Sequence, residues 1–302
     1  MENKQTYDVI IIGGSYAGLS AAMSLGRALR NVLIIDSGKR CNSQTPHAHN
    51  LITHDGDTPA DIAAKAKEQV LKYDTVSFVE GTAVSGSKTE NGFQVETAAG
   101  ELFSAAKIVI ATGLTDLMPE INGFSECWGI SILHCPYCHG YEVRGKKTGV
   151  IGNGDAGYEY AKMITNWTKS LVVFTNGPAT FTTEQLARLK QHDVQIVEGE
   201  LTSLEHASGY VNKIVLKDGN KHLVDAIYAR PAFKQQSAIA GELGCELTEH
   251  GLISVDAFSR TTVPGVYAAG DNSTMMRSLA AAIGNGSMAG AVLNKELIEE
   301  QF

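Results

Sequence analysis

The sequence predicts an α/β fold of two β-α-β units, the second inserted into the first, and three observations support that reading. An apolar run, Val9-Ile10-Ile11-Ile12, leads into the loop Gly13-Gly14-Ser15-Tyr16-Ala17-Gly18. A second run, Gly149-Val150-Ile151, leads into Gly152-Asn153-Gly154-Asp155-Ala156-Gly157. Between the loops two cysteines stand close together in His134-Cys135-Pro136-Tyr137-Cys138-His139. Each loop follows a buried-strand pattern and precedes a helical one, the context in which a glycine turn cradles a pyrophosphate at a helix N-terminus. The two loops therefore read as two Rossmann-like dinucleotide-binding units.

Taken in order, a strand over 7–12 feeds the first loop, a helix covers roughly 18–29, and a strand over 32–35 ends at Asp36. An acid about 20 positions beyond such a loop suits a hydrogen bond to an adenosine ribose hydroxyl, although Asp36 would also cap the turn Ser37-Gly38. Ser15 takes the place of the usual middle glycine, and its small side chain still permits close backbone approach. A polar, turn-rich stretch over 44–59 holds His47, His49, Asn50, His54 and Asp55. A helix over 60–73 and a β-meander over 76–103 follow, then a strand over 107–110 that runs into Ala111-Thr112-Gly113. The second unit begins near Lys147, with strands at 148–151 and 171–174 and further strands at 194–198, 212–217 and 223–228. The segment Gly265-Val266-Tyr267-Ala268-Ala269-Gly270-Asp271 returns to the first unit, and a helix from about 277 to 297 closes the chain.

Composition narrows the function. A chain of 302 residues with 43% apolar residues can bury two domain cores. The net charge of −8 is dispersed, which argues against nucleic acid and anionic membrane surfaces as partners. The N-terminal residues Met1-Glu2-Asn3-Lys4-Gln5 show no leader pattern, and the apolar runs are too short to span a bilayer, so a cytoplasmic protein is expected. Cysteines are five, an odd number, and only Cys135 and Cys138 are close in sequence; this is a reactive pair and no secreted disulfide framework.

Together these residues resemble the low-molecular-weight thioredoxin reductase family over essentially the whole chain. The shared order is the first glycine loop, Ala111-Thr112-Gly113, CxxC, the second glycine loop and Gly270-Asp271. The wording His-Cys-Pro-Tyr-Cys-His-Gly-Tyr-Glu at 134–142 is most similar to a subgroup that includes gliotoxin- and holomycin-type dithiol oxidases. The resemblance implies a flavoprotein with FAD bound by residues 1–116 and 236–302. Residues 117–235 would form the NAD(P)-binding-like domain that bears the redox pair. It implies that Gly13, Gly14, Ser15, Tyr16, Ala17 and Gly18 hold the pyrophosphate and Asp36 the ribose. Asn50, Thr112, Gly113, Gly270, Asp271, Ser278, Leu279 and Ala280 would line the rest of the FAD. Gly152, Gly154 and Gly157 would form the nicotinamide nucleotide's loop. In the family pattern Cys138 faces the flavin and Cys135 attacks the substrate disulfide. A homodimer and a thioredoxin-like protein or small-molecule dithiol as partner are implied as well.

Two departures from the family leave alternatives open. The better-known reductases place an aspartate after the second cysteine, where this chain has His139; histidine can act as acid or base near neutral pH, with Glu142 as competitor. NADPH-specific relatives follow the second strand of the inserted domain with a histidine-arginine-arginine cluster, where this chain reads Thr175-Asn176-Gly177-Pro178. NADPH and NADH thus both stay open, as does another electron donor. Arg277 reads as a cofactor or domain contact or as a plain surface charge. A CxxC pair is also half of a zinc site, with His134, His139, Cys41, His47 and His49 as further candidates, but no second CxxC exists, so no metal is expected. Cys127 and Cys245 read as buried or partly buried thiols; Cys41, which follows the adenosine-binding segment, reads as structural ahead of a redox role. Three functions follow: a disulfide reductase, a dithiol oxidase using oxygen, and a flavin-binding redox sensor.

Overall fold

The computed structural model describes residues 6–302; the N-terminal Met1 to Gln5, read above for a leader, lies outside them. The chain forms two compact units, the first of Met1–Ser43, Pro59–Thr115 and Phe233–Phe302, the second of Gln44–Thr58 and Asp116–Ala232.

The first unit opens with β1 (Thr6–Ile12), α1 (Tyr16–Arg27) and β2 (Val32–Asp36). It continues through α2 (Pro59–Val70), β3 (Val76–Glu80), β4 (Ala83–Thr89), β5 (Gly92–Thr97), β6 (Leu102–Ile110) and β7 (Leu114–Asp116). The strand expected at 107–110 is the end of the long β6, whose first half pairs antiparallel with β5 and whose second half lies parallel to β1. Val9 to Ile12 and Val32 to Ile35 are all buried, as a parallel sheet covered on both faces requires. Register places Ile12 opposite both Ile35 and Ile110. The strands thus end level, and Gly13, Asp36 and Ala111 meet at one carboxyl edge.

The second unit holds α3 (Phe124–Cys127), β8 (Ile132–Leu133), α4 (Pro136–His139), β9 (Thr148–Ile151), α5 (Gly154–Ile164), β10 (Leu171–Phe174) and α6 (Thr183–Gln191). Then come β11 (Gln195–Val197), β12 (Leu201–Ala207), β13 (Tyr210–Leu216), β14 (Lys221–Leu223) and β15 (Ala226–Ala229). A parallel sheet runs β11-β10-β9-β15-β8, and β12-β13-β14 form a separate antiparallel sheet. Ile151 is level with Phe174 and Ala229, and Phe174 with Val197. The edge therefore presents Gly152, Thr175, Glu198 and Arg230. β12 and α6 were not foreseen, yet α6 had a signature: Thr182 and Gln185 form a capping box, each side chain bonding the other's backbone N–H.

The chain then returns through β16 (Phe233–Gln235), α7 (Ile239–Glu242), β17 (Val266–Ala268) and α8 (Leu279–Gln301). β17 adds to β6 in parallel, which brings Gly270 and Asp271 to the first unit's carboxyl edge. α8 packs on α1 at glycine contacts: a Cβ on Gly286 would stand 2.1 Å from the Ala17 carbonyl oxygen.

One segment departs from the sequence reading. Gln44–Thr58, expected with the FAD-binding residues, belongs to the second unit. Gln44 Nε2 donates to the carbonyls of Ser125 (2.8 Å) and Trp128 (2.7 Å), and these bonds tie the loop there.

Candidate active site

In the first unit the glycine loop is closed by contacts that no side chain could replace. Gly13 adopts φ +104°, and a Cβ there would stand 2.3 Å from the Ala111 carbonyl oxygen. A Cβ on Gly18 would stand 1.8 Å from the Gly13 carbonyl oxygen, so helix and strand meet backbone to backbone. Gly14 N donates to Asp36 Oδ1 at 3.0 Å, which fixes the carboxylate beside the loop. Tyr16 is buried, and its hydroxyl donates to the Pro59 carbonyl at 3.0 Å. Asp271 lies 3.4 Å from Arg277 Nε, so Arg277 is no plain surface charge; Ser278 caps α8 by accepting from Ala281 N.

Around this edge Arg40 Nε, Asn42 Oδ1, Thr112 Oγ1 and Asn272 Oδ1 are buried without a hydrogen-bond partner. Buried polar atoms are ordinarily satisfied, and four unsatisfied ones beside a glycine cradle suit a polar ligand seated at the carboxyl ends of parallel strands. These residues fit FAD.

The second loop repeats the architecture. A Cβ on Gly157 would lie 2.6 Å from the Gly152 carbonyl carbon, and Gly154 takes φ +55°. Its polar groups, however, are turned inward. Asn153 Oδ1 accepts from Gly154 N (2.9 Å) and Thr180 N (2.8 Å), while Asn153 Nδ2 donates to the Pro178 carbonyl (2.8 Å). Glu198 Oε2 accepts from Ala179 N at 2.7 Å. A cavity of about 600 Å³ beside Gly177 and Pro178 is lined by Glu198, Glu200, Lys217 and Asp218. Its cation Lys217 is paired with Glu200 at 2.5 Å, and the Arg230 guanidinium stacks on Tyr160 at 4.1 Å. The segment Thr175-Asn176-Gly177-Pro178 carries no acid directly after β10; the fold brings in acids from other elements. The cradle fits a dinucleotide, whereas the charge around it does not fit a 2′-phosphate.

The dithiol sits in the second unit. Cys135 and Cys138 are joined as a disulfide, with Cα atoms 5.3 Å apart. Cys135 is the N-cap of α4, its Sγ accepting from Cys138 N at 3.1 Å, and both cysteines are half-buried. Pro136 starts the turn without losing a bond, since the first N–H of a helix has no partner within it. His139 closes the turn. Burial, followed by the charge of His49, holds its imidazole below the ordinary value, and Glu142 pulls the other way. Exposed Tyr137 and Tyr141 flank the pair; Tyr137 meets Trp167 edge-on at 5.5 Å between ring centroids. The remaining cysteines differ: Cys127 and Cys245 are buried, with burial pushing both thiols up, and Cys41 is exposed. Asn50 lies on the second unit's loop with φ +59°, its N–H donating to Asp55 Oδ1.

Two glycine cradles, with a dithiol between them in the sequence, agree with what related chains show. The pyridine nucleotide-disulphide oxidoreductase family matches residues 7–286. This chain belongs to that family. Within this pyridine nucleotide-disulphide oxidoreductase family, thioredoxin reductase tcpT of Claviceps purpurea is 30% identical, with 99% of this chain and 97% of that protein aligned. Thioredoxin reductase aclD of Aspergillus oryzae is 29% identical over 94% of each. The crystal structure of an oxidoreductase from Agrobacterium tumefaciens superposes with a TM-score of 0.91 at 36% identity, covering 98% of this chain and 99% of that one. The chain is thus a thioredoxin reductase-like flavin disulfide oxidoreductase, of a family that works with FAD and NAD(P)H. Among the described residues no helix is long and apolar enough to cross a membrane.

Proposed function

We propose that this oxidoreductase passes electrons between FAD in the first unit and the Cys135–Cys138 pair, and from the pair to the disulfide of a thioredoxin-like protein. The observation that carries this reading is the half-buried Cys135–Cys138 disulfide with His139 in the same turn. Gly13 to Gly18, Asp36, Thr112, Gly113, Gly270, Asp271 and Ser278 to Ala280 hold the FAD, which when bound supplies two-electron exchange with the dithiol. Gly152, Gly154 and Gly157 take the nucleotide. Cys135 attacks the partner disulfide as a thiolate, and Cys138 resolves the mixed disulfide by displacing the partner's thiol. His139, kept neutral by burial, accepts a thiol proton and returns it to the departing sulfur; protonation at lower pH removes that capacity. By resemblance the protein works as a cytoplasmic homodimer.

The acidic cavity beside Gly177 does not fit a 2′-phosphate, and a weakened NADPH site leaves room for a second reading, dithiol oxidation. In that reading a small dithiol gives two electrons and two protons to the enzyme and leaves as a disulfide, and oxygen accepts them to form hydrogen peroxide.

Cys135→Ser and Cys138→Ser should each abolish disulfide turnover while flavin absorbance per chain stays unchanged. Substitution of Cys127 or Cys245 should cost little. Turnover that survives Cys135→Ser would remove the dithiol from the mechanism. Anaerobic flavin bleaching by NADPH, NADH, reduced thioredoxin and a small dithiol, run in parallel, separates the directions: bleaching by dithiols alone favours the oxidase.

A further inference from the structure

α5 starts at the second glycine loop and reaches the dithiol segment with a residue further along, Tyr160. Tyr160 is buried, and its hydroxyl donates to the His134 carbonyl at 2.7 Å, with the Leu133 carbonyl at 3.5 Å. Burial pushes the phenol up, which keeps it a hydrogen-bond donor. β8 ends at Leu133, opposite Tyr228 of β15, so His134 is the first residue beyond the sheet and the last before Cys135. The Tyr160 ring is held from two sides. Tyr228 meets it edge-on at 6.0 Å between centroids, and the Arg230 guanidinium lies 4.1 Å over it. Tyr228 is equally buried, yet its hydroxyl has no hydrogen-bond partner among the described residues. Two tyrosines in one contact thus differ in a single respect, the bond to the segment that bears the dithiol.

We propose that Tyr160 is a positioning residue for Cys135, fixing through the His134 carbonyl the peptide that carries the attacking cysteine. The His134–Cys135 peptide is planar, so a bond to its oxygen sets the direction of Cys135 N and limits how far the Cys135 side chain can swing. Beyond Cys135 the turn is closed by its own bonds. Cys138 N donates to the Cys135 carbonyl at 3.2 Å and to Cys135 Sγ at 3.1 Å, and His139 N donates to the same carbonyl at 3.2 Å. Tyr160 therefore anchors the segment to α5 ahead of the cysteine, as the turn anchors it behind. Without the hydroxyl, the link between β8 and α4 gains freedom. Sγ then spends less time in line with the partner's sulfur and against the Cys138 N–H, which stabilises it as a thiolate. Tyr160 itself transfers no proton and no electron. The inference rests on the disulfide-oxidoreductase reading.

The test compares Tyr160→Phe with Tyr228→Phe in the flavin-loaded protein, since each keeps the ring and removes one hydroxyl. Anaerobic flavin bleaching by dithiothreitol, which enters through the pair, gives a limiting rate and a half-saturating concentration. In Tyr160→Phe the limiting rate should fall about tenfold or more with half-saturation unchanged, the effect of a slightly misplaced reacting atom. Iodoacetamide alkylation of Cys135 in the reduced protein, followed at one pH by peptide mass, should slow about threefold to tenfold, one hydrogen bond's worth. Tyr228→Phe should stay within about twofold of wild type in both measurements, because it removes a hydroxyl that makes no bond. Wild-type bleaching and alkylation in Tyr160→Phe overturn the proposal. So do equal losses in the two variants, which mark a packing role, and a shifted half-saturation at an unchanged limiting rate, which places Tyr160 in substrate binding. Cys135→Ser is the separate control: bleaching that persists there at the wild-type rate sinks the underlying reading whatever Tyr160 does.

Discussion

The two glycine loops have the same architecture and spend their polar groups in opposite ways. In the first, Gly14 N reaches the carboxylate that ends the neighbouring strand, while Arg40, Asn42, Thr112 and Asn272 keep buried polar atoms unsatisfied. In the second, the corresponding strand ends in Thr175, whose hydroxyl donates to the Gly177 carbonyl at 2.6 Å. Asn153 satisfies the loop from within, and four charged side chains crowd the adjacent cavity. Shared backbone geometry is therefore no measure of shared ligand affinity. A loop that has already satisfied its donors offers a phosphate less; of the first unit's waiting atoms Arg40 Nε donates to a phosphate, whereas the Asn42 and Asn272 Oδ1 atoms accept from a ligand hydroxyl or N–H.

The largest effect that tests this contrast comes from the glycines nearest to backbone. Gly18→Ala places a methyl 1.8 Å from the Gly13 carbonyl oxygen, and helix and strand must separate. We expect less than about one-tenth of the wild-type FAD per chain, a loss typical of blocking a close backbone approach. Gly157→Ala, with its methyl 2.6 Å from the Gly152 carbonyl carbon, should leave flavin content intact and remove whatever nucleotide binding exists. Flavin absorbance per chain and nucleotide calorimetry read the two. Equal flavin loss in both variants would break the division of labour between the loops.

What the sequence made legible was local. The apolar runs, glycine turns, Asp36 and the CxxC pair are each contained within a few residues, and they fix the two β-α-β units because parallel strands buried on both faces need continuous apolar runs. Contacts set by tertiary structure were not legible. His49 meets Glu142 only because the loop of residues 44–58 leaves its sequence neighbours for the second unit. Glu198 and Glu200 both follow β11 and Asp218 follows β13, so the segment after β10, which has no acid of its own, gave no sign of a cavity rich in acids. The inward bonds of Asn153 depend on the path of residues 178–180, which no spacing rule contains.

That acidic cavity supplies an intermediate effect. A 2′-phosphate placed near Glu198, Glu200 and Asp218 meets like charge and no unpaired cation among the lining residues, whereas a ribose hydroxyl can donate to a carboxylate. Calorimetry should show 5′-AMP binding at least about fivefold tighter than 2′,5′-ADP, with the gap narrowing in Glu198→Gln; two or three like charges at the surface are worth on the order of 1 kcal/mol. Strong preference for 2′,5′-ADP would mean that a cation outside the cavity reaches the site.

The smallest effect isolates Asn153 itself. Its side chain accepts from Gly154 N and Thr180 N and donates to the Pro178 carbonyl, so it both caps α5 and pins the following loop. Asn153→Gly removes these bonds without filling space, and glycine is itself tolerated at an N-cap. The cap alone should then cost only a few tenths of a kcal/mol, the lost bonds to residues 178–180 about 1 kcal/mol more. Denaturant unfolding of the flavin-loaded protein reads that loss. The freed Gly154 N–H becomes available to an anion, so affinity for 5′-AMP should rise by about twofold to fivefold, one neutral hydrogen bond's worth. Reduced stability with unchanged nucleotide affinity would show that Asn153 only staples the loop. The contrast between the two cradles would then rest on charge alone.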